Sequence, residues 1–289
     1  CSSDLMNFTC HRGLLNLSDH EVFPHLLRAY VEHLKEKGWW EAAFLQCHDE
    51  APPGSFEQFK KDYALLKEIV PEIKRLSAGQ GADGKLAEYM DIYCPTTNNF
   101  NPESARAAQR QGKHSWWYVC YGPPPPWPNF FIEQPAVAHR MLFWQSWKYD
   151  IEGLLYWGLM VWRTQGGHSA KVPGDGIEDR WPNAPMSLSL VGDGVLVYPG
   201  RAQEEIWPSL RLAMIRDGLE DFEYLWLLNQ RVKAAKAAGV DEDLIQQAEA
   251  LLDVPKDLTQ NYTDYSREPD VLLSKRNAIA RLIEKMDAE

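Results

Sequence analysis

Segments with helical spacing alternate with short apolar runs along most of the chain, and this alternation limits the folds that the chain can adopt. Residues 22–37 place apolar side chains at helical spacing, and Gly38 ends the segment. The next apolar run, residues 42–47, has the length of a buried strand and leads into the polar segment 48–50. A helix followed by a buried strand with polar residues at its carboxyl end is typical of α/β proteins.

The same cycle repeats further along the chain. Helical spacing predicts helices over residues 56–70, 102–111 and 135–149, and short apolar runs predict strands over residues 72–78, 86–93, 116–121 and 153–162. Strands that alternate with helices predict a parallel sheet whose functional edge is formed by the carboxyl ends. Residues 163–200 are rich in Gly, Pro and Asp and predict a long loop that could roof a pocket.

Helices also dominate the C-terminal part of the sequence. Ser209 is expected to cap an amphipathic helix with several acidic side chains, which we interpret as a solvated face or a capping network. Residues 244–252 and 271–286 predict two more helices, which we interpret as a helical tail.

Charge and hydropathy exclude two classes of partner. The net charge is -11 at pH 7 and no run of Lys and Arg with interleaved aromatic residues occurs, so a nucleic-acid partner is not expected. No stretch approaches the roughly 18 consecutive apolar residues that suggest a membrane span. The 12 Trp and 12 Tyr residues leave two interpretations open, namely an aromatic-rich core and rings that stack on sugars.

The five cysteines lack the spacing of a zinc site or a disulfide framework. Cys47, Cys94 and Cys120 lie in apolar runs and are expected to be buried thiols. The sequence begins at Cys1 without an initiator Met or a signal peptide, so we expect a processed product or an excised fragment.

Adjacent carboxylates at Asp49 and Glu50 are the most specific chemical feature of the sequence. They follow a buried strand and precede a loop that Pro52 and Pro53 break. Each negative charge raises the cost of ionising the other, so one of the two is expected to hold a proton more readily than usual. Such a pair can also cap a helix or bind a metal ion. Glycosidases with an enzyme nucleophile place their two carboxylates on opposite sides of the sugar. An adjacent pair instead suits the substrate-assisted mechanism, in which the 2-acetamido oxygen of the sugar attacks the anomeric carbon in place of an enzyme nucleophile.

Four segments, taken together, resemble glycoside hydrolase family 123. They are residues 44–52, 116–121, 153–157 and 209–224, and the likeness extends from about Phe44 to Leu228. Four segments in the right order are more specific than any one of them. The resemblance implies a (β/α)8 TIM barrel, and we place this catalytic region at residues 1–232 and a helical extension at residues 233–289.

The resemblance also implies an activity. It implies the release of β-linked N-acetylgalactosamine, or another N-acetylhexosamine, by a retaining, substrate-assisted mechanism with an oxazoline-type intermediate. Glu50 would be the general acid and base, and Asp49 would polarise the acetamido group of the substrate. This mechanism requires no cofactor and no metal ion, its partner is a glycan or glycoconjugate, and we expect a secreted or periplasmic location.

Side chains near the carboxyl ends of barrel strands face the substrate, so some of them are candidate pocket walls. The candidates are Tyr93, Tyr118, Tyr121 and Trp157, with Asn98 and Trp162 behind them. A Tyr hydroxyl could hold the acetamido carbonyl, and Trp157 could lie beneath the sugar ring. Any one of these aromatic rings can instead belong to the core. His48 is interpreted as a hydrogen-bonded structural residue and not as a metal ligand.

The sequence departs from the family pattern on the N-terminal side of the carboxylate pair. Only about forty residues precede that strand, and counting strands from Ala42 gives about five of the eight in such a barrel. A fragment, a half-barrel completed by dimerisation and a shortened family member are the alternatives. Two other functions also stay open: a carbohydrate-binding module without turnover, and an interaction protein whose active surface is residues 244–289.

Overall fold

The computed structural model describes residues 7–9, 21–161, 192–200, 205–239 and 242–288. The chain divides into two compact units, Cys1–Tyr118 and Val119–Glu289. The first unit contains a parallel sheet, and the second contains long helices.

A curled sheet of five parallel strands forms the centre of the first unit. The strands lie side by side in chain order and are β1 (Asn7–Thr9), β2 (Phe44–Gln46), β3 (Arg75–Ala78), β4 (Ile92–Cys94) and β5 (His114–Val119). Parallel neighbours need crossover connections, and three of these contain the helices α1 (Val22–Glu36), α2 (Phe56–Ile69) and α3 (Pro102–Gln109). The α/β class and the parallel sheet are therefore confirmed, and the sheet has the form of a half-barrel.

One face of this sheet carries the core of the first unit. Apolar side chains of α1 and α2 pack against Leu45, Cys47 and Tyr93. Because successive strand residues point to opposite faces, Phe44 and Gln46 point away from these helices. We call the face of Gln46 the inner face.

The pairing of the strands shows which residues of the other strands share the inner face with Gln46. Gln46 pairs with Leu76, Leu76 pairs with Ile92, and Ile92 pairs with His114. Tyr118 lies on the strand of His114 at an even spacing from it, so Tyr118 belongs to the inner face as well. The sheet therefore brings residues of β2 and β5 onto one concave surface.

Long helices pack together in the second unit. They are α4 (Ala136–Lys148), α5 (Leu210–Ala238), α6 (Glu242–Leu252) and α7 (Pro269–Ala288). Ser209 caps α5, as predicted, because its Oγ accepts a hydrogen bond from the backbone N–H of Leu212 at 3.2 Å. Strand β6 (Gly153–Tyr156) and an antiparallel pair, β7 (Val197–Pro199) with β8 (Ile206–Pro208), also belong to this unit.

The predicted helices are confirmed with small shifts at their ends, whereas two strand predictions were wrong in extent. Residues 86–93 contain a 3-10 helix, Ala87–Tyr89, before β4 begins at Ile92. The strand predicted over residues 153–162 ends at Tyr156. The loop predicted at residues 163–200 lies mostly outside the described residues. Helix α5 includes residue 232, where we place the boundary between the catalytic region and the helical extension.

Two further predictions concern cysteines and membranes. The thiols of Cys47 and Cys94 are buried as predicted, whereas Cys120 is only half-buried. Among the helices that the structure describes, none combines the length and the apolar character needed to cross a membrane.

Candidate active site

The two adjacent carboxylates lie just beyond the carboxyl end of β2. The chain leaves the sheet at Cys47, and both Asp49 and Glu50 expose part of their surface to solvent, with Asp49 partly buried. A hydrogen bond of 3.1 Å from the backbone N–H of Glu50 to the carbonyl of Ala78 ties this segment to the end of β3. The carboxylates are thus held at the carboxyl edge of the sheet and are not packed into the core.

The backbone at Glu50 adopts a conformation that side-chain-bearing residues rarely take. Its φ is +43°, in the left-handed region. Gly79, which follows β3 and has a φ of +83°, lies directly against it. A Cβ atom at Gly79 would be 3.2 Å from the Cα of Glu50, so the glycine allows this close approach.

Tyr118 of β5 holds the side chain of Glu50. The Tyr118 hydroxyl donates a hydrogen bond to Oε1 of Glu50, and Tyr118 itself is only 4% exposed. A buried ring on the inner face therefore fixes an exposed carboxylate at the rim. The structure brings these two predicted site residues together.

Gln46 makes the matching contact to Asp49. Its Nε2 donates a hydrogen bond of 3.2 Å to Oδ1 of Asp49. Partial burial and, next, the charge of Glu50 raise the pKa of Asp49, while the bond from Gln46 opposes the rise. The direction of this shift agrees with the expectation from the sequence that one carboxyl of the pair holds its proton more readily, with burial as the larger cause.

Tyr93 and Asn98 lie in different surroundings. The Tyr93 ring is buried in the core on the helix-facing side of the sheet, and its hydroxyl donates a hydrogen bond of 3.0 Å to the carbonyl of Ala87. This placement favours a packing role for Tyr93 over the predicted contact with substrate. Asn98 is exposed in the 3-10 turn Thr97–Asn99, which follows β4 and begins next to Thr96, the bridge partner of Tyr118.

Tyr121 and Trp157 belong to the second unit, and both are exposed, at 55% and 41%. The indole Nε1 of Trp157 donates a hydrogen bond of 2.9 Å to Oδ1 of the buried Asp193. The Trp157 ring also lies against Gly194, where a Cβ atom would be 2.5 Å from Cζ2. The sixth candidate, Trp162, lies outside the described residues.

Sequence reasoning missed Gln46, Gly79 and Asp193. Gln46 could have been found from strand alternation, because it is a polar residue two positions from the apolar Phe44 on the inner face. The importance of Gly79 and Asp193 follows from contacts with distant residues, which leave no local pattern in the sequence.

The segment 209–224, which carries much of the family resemblance, has a structural role. The Arg211 guanidinium is buried and donates hydrogen bonds to the carbonyls of Phe130 and Gly192, both at 2.7 Å. Asp221 is fully buried and accepts hydrogen bonds from Arg140 at 2.7 and 2.9 Å. The interpretation of this acidic cluster as a solvated face or a capping network was therefore wrong for Asp221.

Within the described ranges, no group of three or more His, Cys, Asp or Glu side chains could hold a metal ion. His48 instead forms a hydrogen bond with Asp62, with Nε2 and Oδ2 2.7 Å apart.

Comparison with known proteins identifies the family of this chain. Residues 18–228 match the model of the glycoside hydrolase 123 catalytic domain. No curated protein matches the sequence. One similar solved structure is a family 123 glycoside hydrolase from Clostridium perfringens, studied for glycolipid glycan hydrolysis, with 18% identity and a TM-score of 0.57. The match covers 92% of this chain and 44% of that one, so the chain spans less than half the length of that protein. Because the family model covers most of the sequence, the chain belongs to glycoside hydrolase family 123.

Proposed function

We propose that the chain is a glycosidase that releases β-linked N-acetylgalactosamine, or a related N-acetylhexosamine, with retention of configuration. The observation that carries this proposal is the exposed pair Asp49 and Glu50 at the carboxyl edge of the sheet, with each side chain held by a different inner-face residue. The two carboxylates belong to adjacent positions of one short segment, so we assign them to neighbouring groups of one sugar and not to its opposite faces.

The reaction needs no enzyme nucleophile. The acetamido oxygen of the substrate attacks the anomeric carbon as the glycosidic bond breaks, and Glu50 donates its proton to the leaving oxygen. Asp49, as a carboxylate, accepts a hydrogen bond from the acetamido N–H and stabilises the positive charge of the oxazolinium ring. Glu50 then removes a proton from water, which attacks the anomeric carbon and reopens the ring. Two inversions at that carbon retain its configuration.

The fold fits this assignment. The five parallel strands and the position of the carboxylates after β2 are compatible with the (β/α)8 barrel that the family resemblance implies, in which reactive residues follow the strands. We propose that the described half-barrel is part of such a barrel, and that dimerisation is one way to complete it.

Turnover of an aryl β-N-acetylgalactosaminide by the wild type and by Glu50→Gln tests the proposal. Loss of general acid catalysis should lower the rate by about a hundred- to ten-thousandfold. The control is Glu57→Gln, because Glu57 lies on α2 with its side chain 82% exposed and pairs only with nearby Lys60 among the contacts described. Equal rates for Glu50→Gln and the wild type would contradict the proposal, and binding of the sugar without turnover would favour a carbohydrate-binding module.

The substrate-assisted route has its own test. An aryl β-galactoside has a hydroxyl group where the substrate carries its acetamido group, so it lacks the internal nucleophile. We expect turnover of the acetamido substrate only, and comparable rates on both would contradict the mechanism while leaving a glycosidase. The same measurement with an aryl β-N-acetylglucosaminide and an aryl β-glucoside shows whether the enzyme prefers the galacto or the gluco configuration of the sugar.

A further inference from the structure

A cluster of polar side chains lies beneath the segment that carries the two carboxylates. It consists of His48, Asp62, Tyr63 and Ser77, and we call it the strand-end clamp. The side chains of His48 and Asp62 are only 11% and 6% exposed. Their hydrogen bond, 2.7 Å between Nε2 and Oδ2, joins the end of β2 to helix α2. The second oxygen of Asp62 accepts a hydrogen bond of 2.8 Å from Gln58, so the carboxylate is held on both sides.

The clamp contacts the backbone N–H, the carbonyl and the ring Nε2 of His48. The hydroxyl of Tyr63 accepts hydrogen bonds from the backbone N–H groups of Cys47 at 3.3 Å and His48 at 3.4 Å, and it donates to the carbonyl of Leu76 at 2.5 Å. The carbonyl of His48 accepts a hydrogen bond of 3.0 Å from Ser77 Oγ. Position 48 is therefore fixed through its side chain, its N–H and its carbonyl.

Helix α2 also packs against the imidazole ring of the clamp. The ring centroid of His48 is 5.2 Å from that of Phe59, and Phe59 and Tyr63 stack with their centroids 4.0 Å apart. The His48 ring thus has an aromatic neighbour as well as a hydrogen-bond partner, which leaves it little freedom to rotate.

The strained backbone at Glu50 follows two positions after His48. A residue with a side chain keeps a positive φ only where the surrounding structure fixes it. On one side, Gly79 lies against the Cα of Glu50, and the carbonyl of Ala78 accepts its N–H. On the N-terminal side, the backbone reaches Glu50 from His48, which the clamp holds in place. Without that anchor, the segment could relax towards ordinary φ values, and Glu50 would move away from Tyr118.

We propose that His48 and Asp62 are positioning residues that hold Glu50 in the orientation required for proton transfer to the leaving group. This inference rests on the function proposed above and adds to it a requirement for two residues that do not contact the sugar. Their effect is on the placement of Glu50, and misplacement of a reacting group by about 1 Å can cost about a hundredfold in rate.

Two variants remove different members of the clamp. In Asp62→Asn, the amide oxygen can accept only one of the two hydrogen bonds that the carboxylate accepts from Gln58 and His48. Tyr63→Phe keeps the stacked ring and removes the hydroxyl. The control is Asp91→Asn, since Asp91 precedes β4 at the opposite edge of the sheet and bonds to Arg75 and Lys113. It perturbs a partly buried ionic network of the same unit, which meets the clamp at the backbone carbonyl of Tyr63, to which Arg75 donates, and not at the clamp's side-chain hydrogen bonds.

The readout is kcat/KM for two aryl β-N-acetylgalactosaminides, one with phenol and one with dinitrophenol as the leaving group. Phenol leaves slowly without a proton donor, whereas dinitrophenol needs little help. We expect both clamp variants to lose about a hundredfold on the phenyl substrate and to stay near wild type on the dinitrophenyl substrate. Asp91→Asn should lower thermal stability and leave both kcat/KM values unchanged. Equal losses on both substrates, or no loss in folded protein, would overturn the inference.

A crystal structure of Asp62→Asn tests the same inference without turnover. We expect the φ of Glu50 to leave the positive region and the Tyr118–Glu50 hydrogen bond to be lost. A Glu50 backbone that stays unchanged in this variant would refute the positioning role. The proposed function fails in a different way. It is refuted if the wild-type protein shows no turnover, or if the wild type and Glu50→Gln have the same rate.

Discussion

The hydroxyl of Tyr118 on β5 donates a hydrogen bond to Oε1 of Glu50, which follows β2 and precedes Tyr118 by 68 positions in the sequence. Two strands, β3 and β4, lie between β2 and β5 in the sheet. In a flat sheet, three strand spacings separate the outer pair by about 14 Å. The side chains bridge this separation because the segment of Glu50 lies over the end of β3 and because the sheet curls, which places both residues on its concave side. The contact links the shape of the half-barrel to the placement of the proposed acid.

Tyr118→Phe should lower activity without unfolding the protein. The substitution removes one hydrogen bond to a carboxylate and keeps the ring on the inner face. Hydrogen bonds to charged groups contribute about 1.5–3 kcal/mol, so we expect kcat/KM to fall by about ten- to a hundredfold. Steady-state kinetics on the aryl glycoside measure this loss, and wild-type kinetics in the folded variant would contradict the role of Tyr118.

Tyr93→Phe should show the opposite pattern. Its hydroxyl donates to the carbonyl of Ala87 on the helix-facing side of the sheet, so its loss weakens the core. We expect the free energy of unfolding to fall by about 0.5–1.5 kcal/mol, with kcat/KM unchanged. Urea denaturation and kinetics on the same sample test this, and a large rise in KM would restore Tyr93 as a substrate-binding residue.

Asp49 gives the protein a pH dependence whose sign follows from its surroundings. Partial burial and the charge of Glu50 raise the pKa of Asp49 in the folded chain. The folded protein then holds this proton at pH values at which the unfolded chain has lost it. The contribution of protonated Asp49 to stability is therefore present at low pH and is lost as the pH rises through the raised pKa. Activity that needs the carboxylate falls on the acid side at a higher pH than for an ordinary aspartate.

Asp49→Asn separates these two effects. Its amide oxygen can still accept the hydrogen bond from Gln46, but the residue carries no charge. We expect the variant to unfold at a higher urea concentration than wild type at pH 7, to match wild type below the ordinary aspartate pKa of about 3.9, and to lose activity at every pH. A variant less stable than wild type at pH 7 would show that ionised Asp49 stabilises the fold.

The sequence contains enough information for the helices and for the position of the carboxylate pair. Helical spacing located α1 and α2 because each buries one apolar face, and the polar segment after the short run ending at Cys47 located the edge of the sheet. Strand β1 was not predicted because three residues are too few to show alternation. The different surroundings of Tyr93 and Tyr118 depend on which face each residue occupies, and that is set by register across several strands.

Asp221 on helix α5 is a second residue whose surroundings could not be predicted from the local sequence pattern. In sequence it lies among Asp217, Glu220 and Glu223, a pattern typical of an exposed helix face. In the structure it is fully buried, because Arg140 and Trp144 of α4 donate hydrogen bonds to it. Such partners are more than seventy positions away, so local pattern could not reveal them.

Asp221→Ala should destabilise the second unit strongly. It leaves the guanidinium of Arg140, only 11% exposed, without its carboxylate partner, and removal of one member of a buried pair costs about 3–5 kcal/mol. Asp217→Ala is the matched control in the same helix, since Asp217 pairs with the largely exposed Arg216 and such pairs contribute about 0–1 kcal/mol. Denaturant unfolding of both variants measures the difference, and similar losses would show that burial of Asp221 does not determine its contribution.

Gly194→Ala should disturb the indole ring of Trp157. Gly194 has a φ of +71°, and an added Cβ would lie 2.5 Å from Cζ2 of Trp157, so the ring must shift. Gly112→Ala is the control, because Gly112 has a φ of +80° and no atom within 4 Å of an added Cβ. Both variants carry the backbone strain of a left-handed alanine, about 1–2 kcal/mol, but only one displaces the ring.

If Trp157 lies beneath the sugar, the two glycine variants will differ in substrate binding as well. Loss of one well-oriented ring contact of about 0.5–1.5 kcal/mol should raise KM by about two- to tenfold for Gly194→Ala and leave KM unchanged for Gly112→Ala. Quenching of tryptophan fluorescence by N-acetylgalactosamine measures the same contact without turnover. An unchanged KM together with unchanged quenching in Gly194→Ala would place the sugar away from Trp157. The control makes this conclusion possible, because Gly112→Ala carries the same backbone strain without moving the Trp157 ring.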